Sequence, residues 1–461
     1  MQRATLKSSH RLLIRICVLG SLAGLLFGMD TGIIGGALPL ITKQFLLSTD
    51  SKEMVVSAVL FGALLGTISC NFIGKPLGRR RTIMVAALVF VIGSLLSSLA
   101  PSRNFLIVAR IILGMGVGMA AFSAPLYLSE VSPSKYRGAI ISLYQTMVNL
   151  GIATAMTIGV AFTYMDTWRP MLFSLAIPAV FLFIGTFFVP PSPRWLVMVK
   201  RKDKAVEVLT RIRGSSETEA RKEVKAIEEV EAQATEGFEF FRKNRNFRKV
   251  IYLGIALQAA QQLTGINIMF YYAPKIFEIC GFSSSIARIW GGLSLALLGF
   301  ICTLSVIAFV DKVGRKPLLY WGAVGMGAAF LGLSGVFYGG IHTTIEQVLA
   351  VLMLVIFTAA FFVSSAPVTW ILCAEINPLK GRNFGMMLST CTNWATNLVI
   401  AATFLSLLNS AGDVWTFALY GVINLSLLVI YYFFTPETKG VPLEDIEKRL
   451  MEGIPLKNIG K

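Results

Sequence analysis

The chain has 461 residues, 55% of them hydrophobic, and a mean hydropathy of +0.69. Soluble proteins are usually about 45–50% apolar, so a water-soluble fold is excluded and a bilayer protein is expected. The net charge of +17 would suit nucleic acid, but Lys and Arg are segregated into alternate connections between apolar runs. That is the pattern of cytoplasmic loops under the positive-inside rule, and no nucleic-acid partner is expected.

Runs of the roughly 20 residues needed to cross a bilayer begin near Leu12, Met54, Thr82, Phe105, Ala139 and Met171. Basic residues Arg3, Lys7, Arg11 and Arg15 precede or open the first run, as in a signal peptide, but no small-residue cleavage site closes it. It is read as an uncleaved first span. Asp30 lies well inside that span, and Arg110 one or two turns into the fourth. A charge inside a span costs at least about 2.5–3.5 kcal/mol on insertion scales, so the two would offset each other's desolvation if their spans adjoin. An ionised Asp30 holds Arg110 and a protonated one releases it, which makes Asp30 a candidate proton carrier. A permanent ion pair that fixes helix packing is the alternative. Gln145, in the fifth span, is the first-half candidate for a polar binding site.

A polar stretch from about Pro190 to Arg248 follows. Ala205, Val206, Leu209 and Ile212, then Ala220, Val224, Ile227 and Val230, recur at helical spacing. Short amphipathic helices along the cytoplasmic face are expected, bracing the halves or resting on anionic headgroups; a solvated charged linker is the alternative.

Six more spans begin near Val250, Ile286, Pro317, Ile345, Phe384 and Val414. The expected division is an N-terminal six-helix bundle over 1–190, a linker over 191–248, a C-terminal bundle over 249–435 and a tail over 436–461, with both ends cytoplasmic. The seventh span is the most polar, with Gln258, Gln261, Gln262, Thr264, Asn267, Tyr271 and Tyr272 interrupted by Gly265 and followed by Pro274. Amides both donate and accept, which suits a neutral polyhydroxylated ligand; hydrogen bonding between helices would by itself account for one or two of them. Trp370, Asn393, Trp394 and Asn397 add aromatic faces and further amides, a combination typical of sugar sites. The six cysteines form no CxxC pair, which supports neither a disulfide framework nor a metal site.

The chain repeats itself. Glu130-x-x-Pro133-x-x-x-Arg137 returns 245 residues later as Glu375-x-x-Pro378-x-x-x-Arg382, and Gly78-Arg79-Arg80 is matched by Gly314-Arg315-Lys316. Two related halves around one central site are the architecture of a transporter.

These residues resemble the sugar porter family of the major facilitator superfamily over nearly the whole chain. The match rests on Glu130-x-x-Pro133 with Arg137-Gly138, on Gln261-Gln262-Leu263-Thr264-Gly265-Ile266-Asn267 with Tyr271-Tyr272-Ala273-Pro274, on Asp311-Lys312-Val313-Gly314-Arg315-Lys316, and on Pro436-Glu437-Thr438-Lys439-Gly440. The resemblance implies an all-α membrane protein with twelve transmembrane helices in two six-helix bundles, a cytoplasmic helical linker and alternating access. It implies no covalent chemistry and no cofactor, the proton serving as coupling ion. Phe27-Gly28-Met29-Asp30 with Thr31-Gly32 is most similar to bacterial proton-coupled galactose, arabinose and xylose symporters; facilitative relatives commonly carry Asn where Asp30 stands. Carried over by position, Asp30 and Arg110 are the proton-coupling pair. Gln145, Gln261, Gln262, Asn267, Trp370 and Asn393 contact sugar, Phe27, Tyr271 and Trp394 line the cavity, and Glu130, Arg137, Arg79, Glu375, Arg382 and Arg315 gate it.

Four positions depart from the family pattern. Gly299 replaces a sugar-binding Asn of many relatives, which is expected to leave space beside the sugar. Lys75, Pro191 and Asn383 replace residues of the cytoplasmic charge network and are expected to weaken or rearrange it. The expected activity is import of a monosaccharide with one proton by a monomer in a bacterial inner membrane. A facilitative uniporter, a non-transporting sugar sensor and a drug exporter are the alternatives, the last disfavoured by the amides.

Overall fold

With no water in the bilayer core, each run must satisfy its own backbone groups, and the helix does so within one segment. The computed structural model describes residues 2–132, 137–232, 237–307, 310–378 and 381–460, and every regular element among them is helical. The first half contains α1 (Gln2–Phe45), α2 (Thr49–Ser98), α3 (Arg103–Val131), α4 (Arg137–Thr163), α5 (Arg169–Ser174) and α6 (Ala176–Gly185). The linker carries α7 (Pro193–Met198), α8 (Lys202–Arg213), α9 (Glu217–Ala232) and α10 (Gly237–Lys243). The second half contains α11 (Arg245–Leu263), α12 (Ile266–Tyr271), α13 (Ala273–Ile279), α14 (Ser285–Ile307), α15 (Val310–Val313), α16 (Arg315–Gly339), α17 (Thr344–Val363), α18 (Ser365–Ile376) and α19 (Arg382–Phe433), and α20 (Leu443–Met451) lies in the tail.

Ten helical stretches among the described residues are long and apolar enough to cross a membrane. Two further crossings bring the spans to twelve. α19 is one such stretch of 52 residues that turns at Gly412, whose φ of 78° is open to glycine, and so supplies spans 11 and 12. Span 7 is broken into α11, α12 and α13, and no single piece has the length. Gly265 makes the first break at φ 88°. The second, at Tyr272, was not anticipated; Pro274 follows it at the start of α13, where a missing N–H costs nothing.

The repeat is also structural. Gly78 (φ 75°, ψ 161°) and Gly314 (φ 103°, ψ 165°) take the same backbone conformation at matching places, bending span 2 into span 3 and starting span 9. Only glycine occupies that region readily.

Among the described residues, several pairs of spans join the halves. Spans 1 and 7 touch where Gly35 faces the Phe270 carbonyl. Spans 5 and 8 are joined by Asn149 Nδ2 donating to Thr303 Oγ1 at 2.6 Å. Spans 2 and 11 are joined at the end away from the linker by Glu53 with Ser406 and by Asn409 Nδ2 donating to Thr49 Oγ1 at 3.0 Å.

The linker helices carry the two expected amphipathic faces, and Ala205, Val206, Leu209, Ile212, Ala220 and Val224 are buried. Ile227 is half-buried, and the side chain of Val230 lies outside the described residues. Arg213 Nη1 donates to the Val131 carbonyl at 2.7 Å, so these faces pack on the protein. In the tail, Ile446, Leu450 and Ile459 are buried in the second-half core, and Glu437 accepts from the Arg315 and Lys316 amides at 3.1 and 2.9 Å. A carboxylate there satisfies orphan donors at the start of α16.

Candidate functional site

Within the second half, the break at Gly265 lets span 7 present amides from both of its sides. Asn393 Nδ2 donates to Gln258 Oε1 at 2.7 Å and Gln261 Oε1 at 2.9 Å, and its Oδ1 accepts from Gln262 Nε2 at 3.0 Å. Gln262 Oε1 in turn accepts from Asn267 Nδ2 at 2.7 Å. Gln261 Nε2 reaches the Ser365 and Ala366 carbonyls at 3.0 and 3.3 Å, where span 10 breaks into α17 and α18. The structure therefore brings Gln261, Gln262, Asn267 and Asn393 into one network. Gln258, part of the polar cluster of span 7 but not among the sugar contacts that the resemblance implies, belongs to it as well.

The aromatic residues border this network. Phe27 and Trp394 meet edge to face, with ring centroids 5.2 Å apart, across the boundary between the halves. Tyr271 accepts from Asn397 Nδ2 at 3.1 Å. Trp370 on α18 and Gln145 on α4 are half-buried. Trp394 Nε1 and Asn397 Oδ1 are buried with no hydrogen-bond partner among the described residues. Native interiors rarely leave such groups unpaired; here they are a spare donor and a spare acceptor beside an amide cluster, a set that a hydroxylated ligand can satisfy.

Asp30 and Arg110 do adjoin. Asp30 Oδ1 lies 3.9 Å from Arg110 Nη2, and both residues are almost wholly buried, at 5% and 1% exposure. The guanidinium is anchored elsewhere, its Nε donating to the Val55 carbonyl at 2.8 Å. Tyr271 lies within electrostatic reach of both charges, so the amide cluster and the charge pair share a neighbour.

At the linker end, the two copies of the repeat form matching clasps. Arg79 Nε donates to Glu130 Oε1 at 3.1 Å, and Ser192 Oγ donates to Glu130 Oε2. Arg315 Nη2 donates to Glu375 Oε1 at 3.0 Å, and Thr438 Oγ1 donates to Glu375 Oε2. Arg382 Nε donates to the Asn377 carbonyl at 3.3 Å. The side chains of Arg137 and Lys75 lie outside the described residues. The two hydroxyl partners were missed because each sits in the segment after its half.

A sequence pattern described as sugar (and other) transporter matches residues 16–450. The chain belongs to that family. The galactose-proton symporter of Escherichia coli K12 is 43% identical over 454 residues, covering 98% of each chain. The arabinose-proton symporter of the same strain is 44% identical over 459 residues, covering 99% of this chain and 97% of its own. Among solved structures, the partially occluded, inward open xylose transporter from E. coli superposes with a TM-score of 0.81 at 26% identity, over 94% of this chain and 100% of that one. A major facilitator superfamily proton:xylose symporter bound to 6-bromo-6-deoxy-D-glucose gives 0.80 at 27% identity, over 97% and 99%.

One expectation for this transporter needs correction. Gly299 leaves no space: a Cβ there would lie 2.5 Å from the Phe362 ring, which fills the place the missing side chain would take. Around Pro191 the charge network is rearranged: Ser192 donates to Glu130, whereas Glu437, the second-half counterpart of Pro191, holds backbone amides that proline cannot. Span 2 also begins earlier than its apolar run. The helix starts at Thr49 behind a Ser48 cap, so Glu53, one residue before the apolar run, lies on the helix and is 4% exposed.

Proposed function

We propose that this transporter imports a neutral monosaccharide, a hexose or a pentose, together with one proton by alternating access. The observation that carries the reading is a buried amide network in the second half, whose bordering Trp394 meets Phe27 of the first, together with a buried carboxylate–guanidinium pair in the first half. Amides recognise hydroxyls without demanding charge, and Gln145 and Trp370, both half-buried, are taken as further sugar contacts. The galactose, arabinose and xylose named for relatives are sugars of that class.

In this reading Asp30 carries the proton. Ionised, it attracts Arg110; protonated, it loses that attraction, and the balance between the two conformations shifts. The clasps at Glu130 and Glu375, with Arg137 and Arg382, act as gates at the linker end. The basic connections support placing that end in the cytoplasm of a bacterial inner membrane. The proton is the only coupling ion, no cofactor takes part, and a monomer suffices because the two halves form the whole pathway.

Uptake into energised vesicles, with a panel of labelled sugars and with or without an uncoupler, tests the proposal. Accumulation above the outside concentration that collapses with uncoupler is expected. Uptake that only equilibrates in both conditions would make the protein a facilitator, and no uptake with retained binding a sensor.

A further inference from the structure

Glu53 is a buried acid with no role in the reading above. Its Oε1 accepts the Ser406 backbone N–H at 2.7 Å and its Oε2 accepts the Ser406 hydroxyl at 2.6 Å. No cation lies within ion-pair distance among the described residues, so the carboxylate depends on these two donors, and both belong to the other half of the molecule. Hydrogen bonds to an ionised acceptor are roughly twice as strong as neutral ones. This contact therefore fastens span 2 to span 11 at the end opposite the linker.

The same turn of span 2 is held from inside its own half. Two residues beyond Glu53, the Val55 carbonyl accepts from Arg110 Nε at 2.8 Å, and Arg110 faces Asp30. On the opposing span, Tyr272 Oη donates to the Ala401 carbonyl at 2.6 Å and Asn397 holds Tyr271. Residues 53–55 thus form one short helical segment gripped by the charge pair on one side and by Ser406 on the other.

We propose that Glu53 is a positioning residue for symport: its clasp on Ser406 closes the gate opposite the linker, and Arg110, through Val55, sets how firmly that clasp is made. When the halves part at this end, Ser406 withdraws both donors and water entering the mouth replaces them. A change in the Asp30–Arg110 pair moves the Val55 turn and so reaches the gate without a long chain of contacts. The proposal rests on the proton–sugar reading for what the gate controls, and on geometry alone for the clasp.

The test is amide hydrogen exchange on purified protein, followed in peptides covering 49–56 and 403–411. Glu53→Ala should raise exchange at both by about tenfold, since it removes both bonds. Glu53→Gln and Ser406→Ala, which each spare part of the contact, should give smaller rises. Sugar affinity close to the parent value serves as the check on folding, and the two milder variants keep the test available if Glu53→Ala does not fold. A structural contact alone would also loosen these peptides, so the deciding readout is a double-mutant cycle. Asp30→Asn should change exchange at 403–411 in the parent protein, have a smaller effect in Glu53→Gln and none in Glu53→Ala. Equal Asp30→Asn effects in all backgrounds would overturn the link, and parent-like exchange in every Glu53 variant would overturn the clasp. Failure of the parent protein to move protons with sugar would overturn only the functional reading.

Discussion

Asp30 Oδ1 stands 3.9 Å from Arg110 Nη2, near enough for strong attraction in a dry interior and too far for a hydrogen bond. The Val55 carbonyl keeps the guanidinium in place from another direction. In the proposed role the carboxylate takes or loses a proton while the arginine keeps its bond to Val55, so the change is passed to that turn and the anchor does not break. Asp30→Asn removes the charge permanently. It should abolish accumulation against a gradient while leaving sugar exchange across the membrane largely intact; accumulation at parent levels would leave Asp30 with a packing role.

Arg110→Lys tests the fork. A guanidinium reaches Val55 and Asp30 with separate nitrogens, while an ammonium is a single point charge. The lysine variant should bind sugar normally and lose most concentrative uptake. Full uptake would mean that positive charge alone is sufficient.

Asn393 bonds three glutamines, so Asn393→Ala leaves Gln258, Gln261 and Gln262 each short of a partner and removes a ligand for sugar hydroxyls. The loss should be about 1–3 kcal/mol of binding, or about tenfold or more in affinity at 1.4 kcal/mol per tenfold. Calorimetry on folded protein checks it. Unchanged affinity would make the network helix packing.

Gly299→Asn should now act on stability. The new side chain must displace Phe362, and overpacking costs about 1–3 kcal/mol. A lower melting temperature with an unaltered ranking of galactose, glucose, xylose and arabinose is expected. A changed ranking at unchanged stability would restore the sugar-contact reading.

The sequence made the charge pair and the amides visible because depth in an apolar run and density of polar groups are both local properties. It could not show what fills a gap across an interface. Gly299 was placed on the correct helix, but only the structure shows Phe362 opposite it. Glu53 escaped because an apolar run marks where hydrophobic residues begin, while the helix begins where Ser48 caps it. Ser192 and Thr438 escaped because their partners are more than 60 residues away in sequence. The fold itself was legible from its twelve runs and its repeat; the second break of span 7, at Tyr272, was not, since no glycine marks it.

The central claim is that sugar and proton cross together. The most direct test is to add a transported monosaccharide to a weakly buffered suspension of de-energised vesicles containing the protein and follow external pH. Prompt alkalinisation that requires the sugar, disappears with an uncoupler and is absent in Asp30→Asn is the predicted result. Sugar entry of the same size with no change in pH would contradict it.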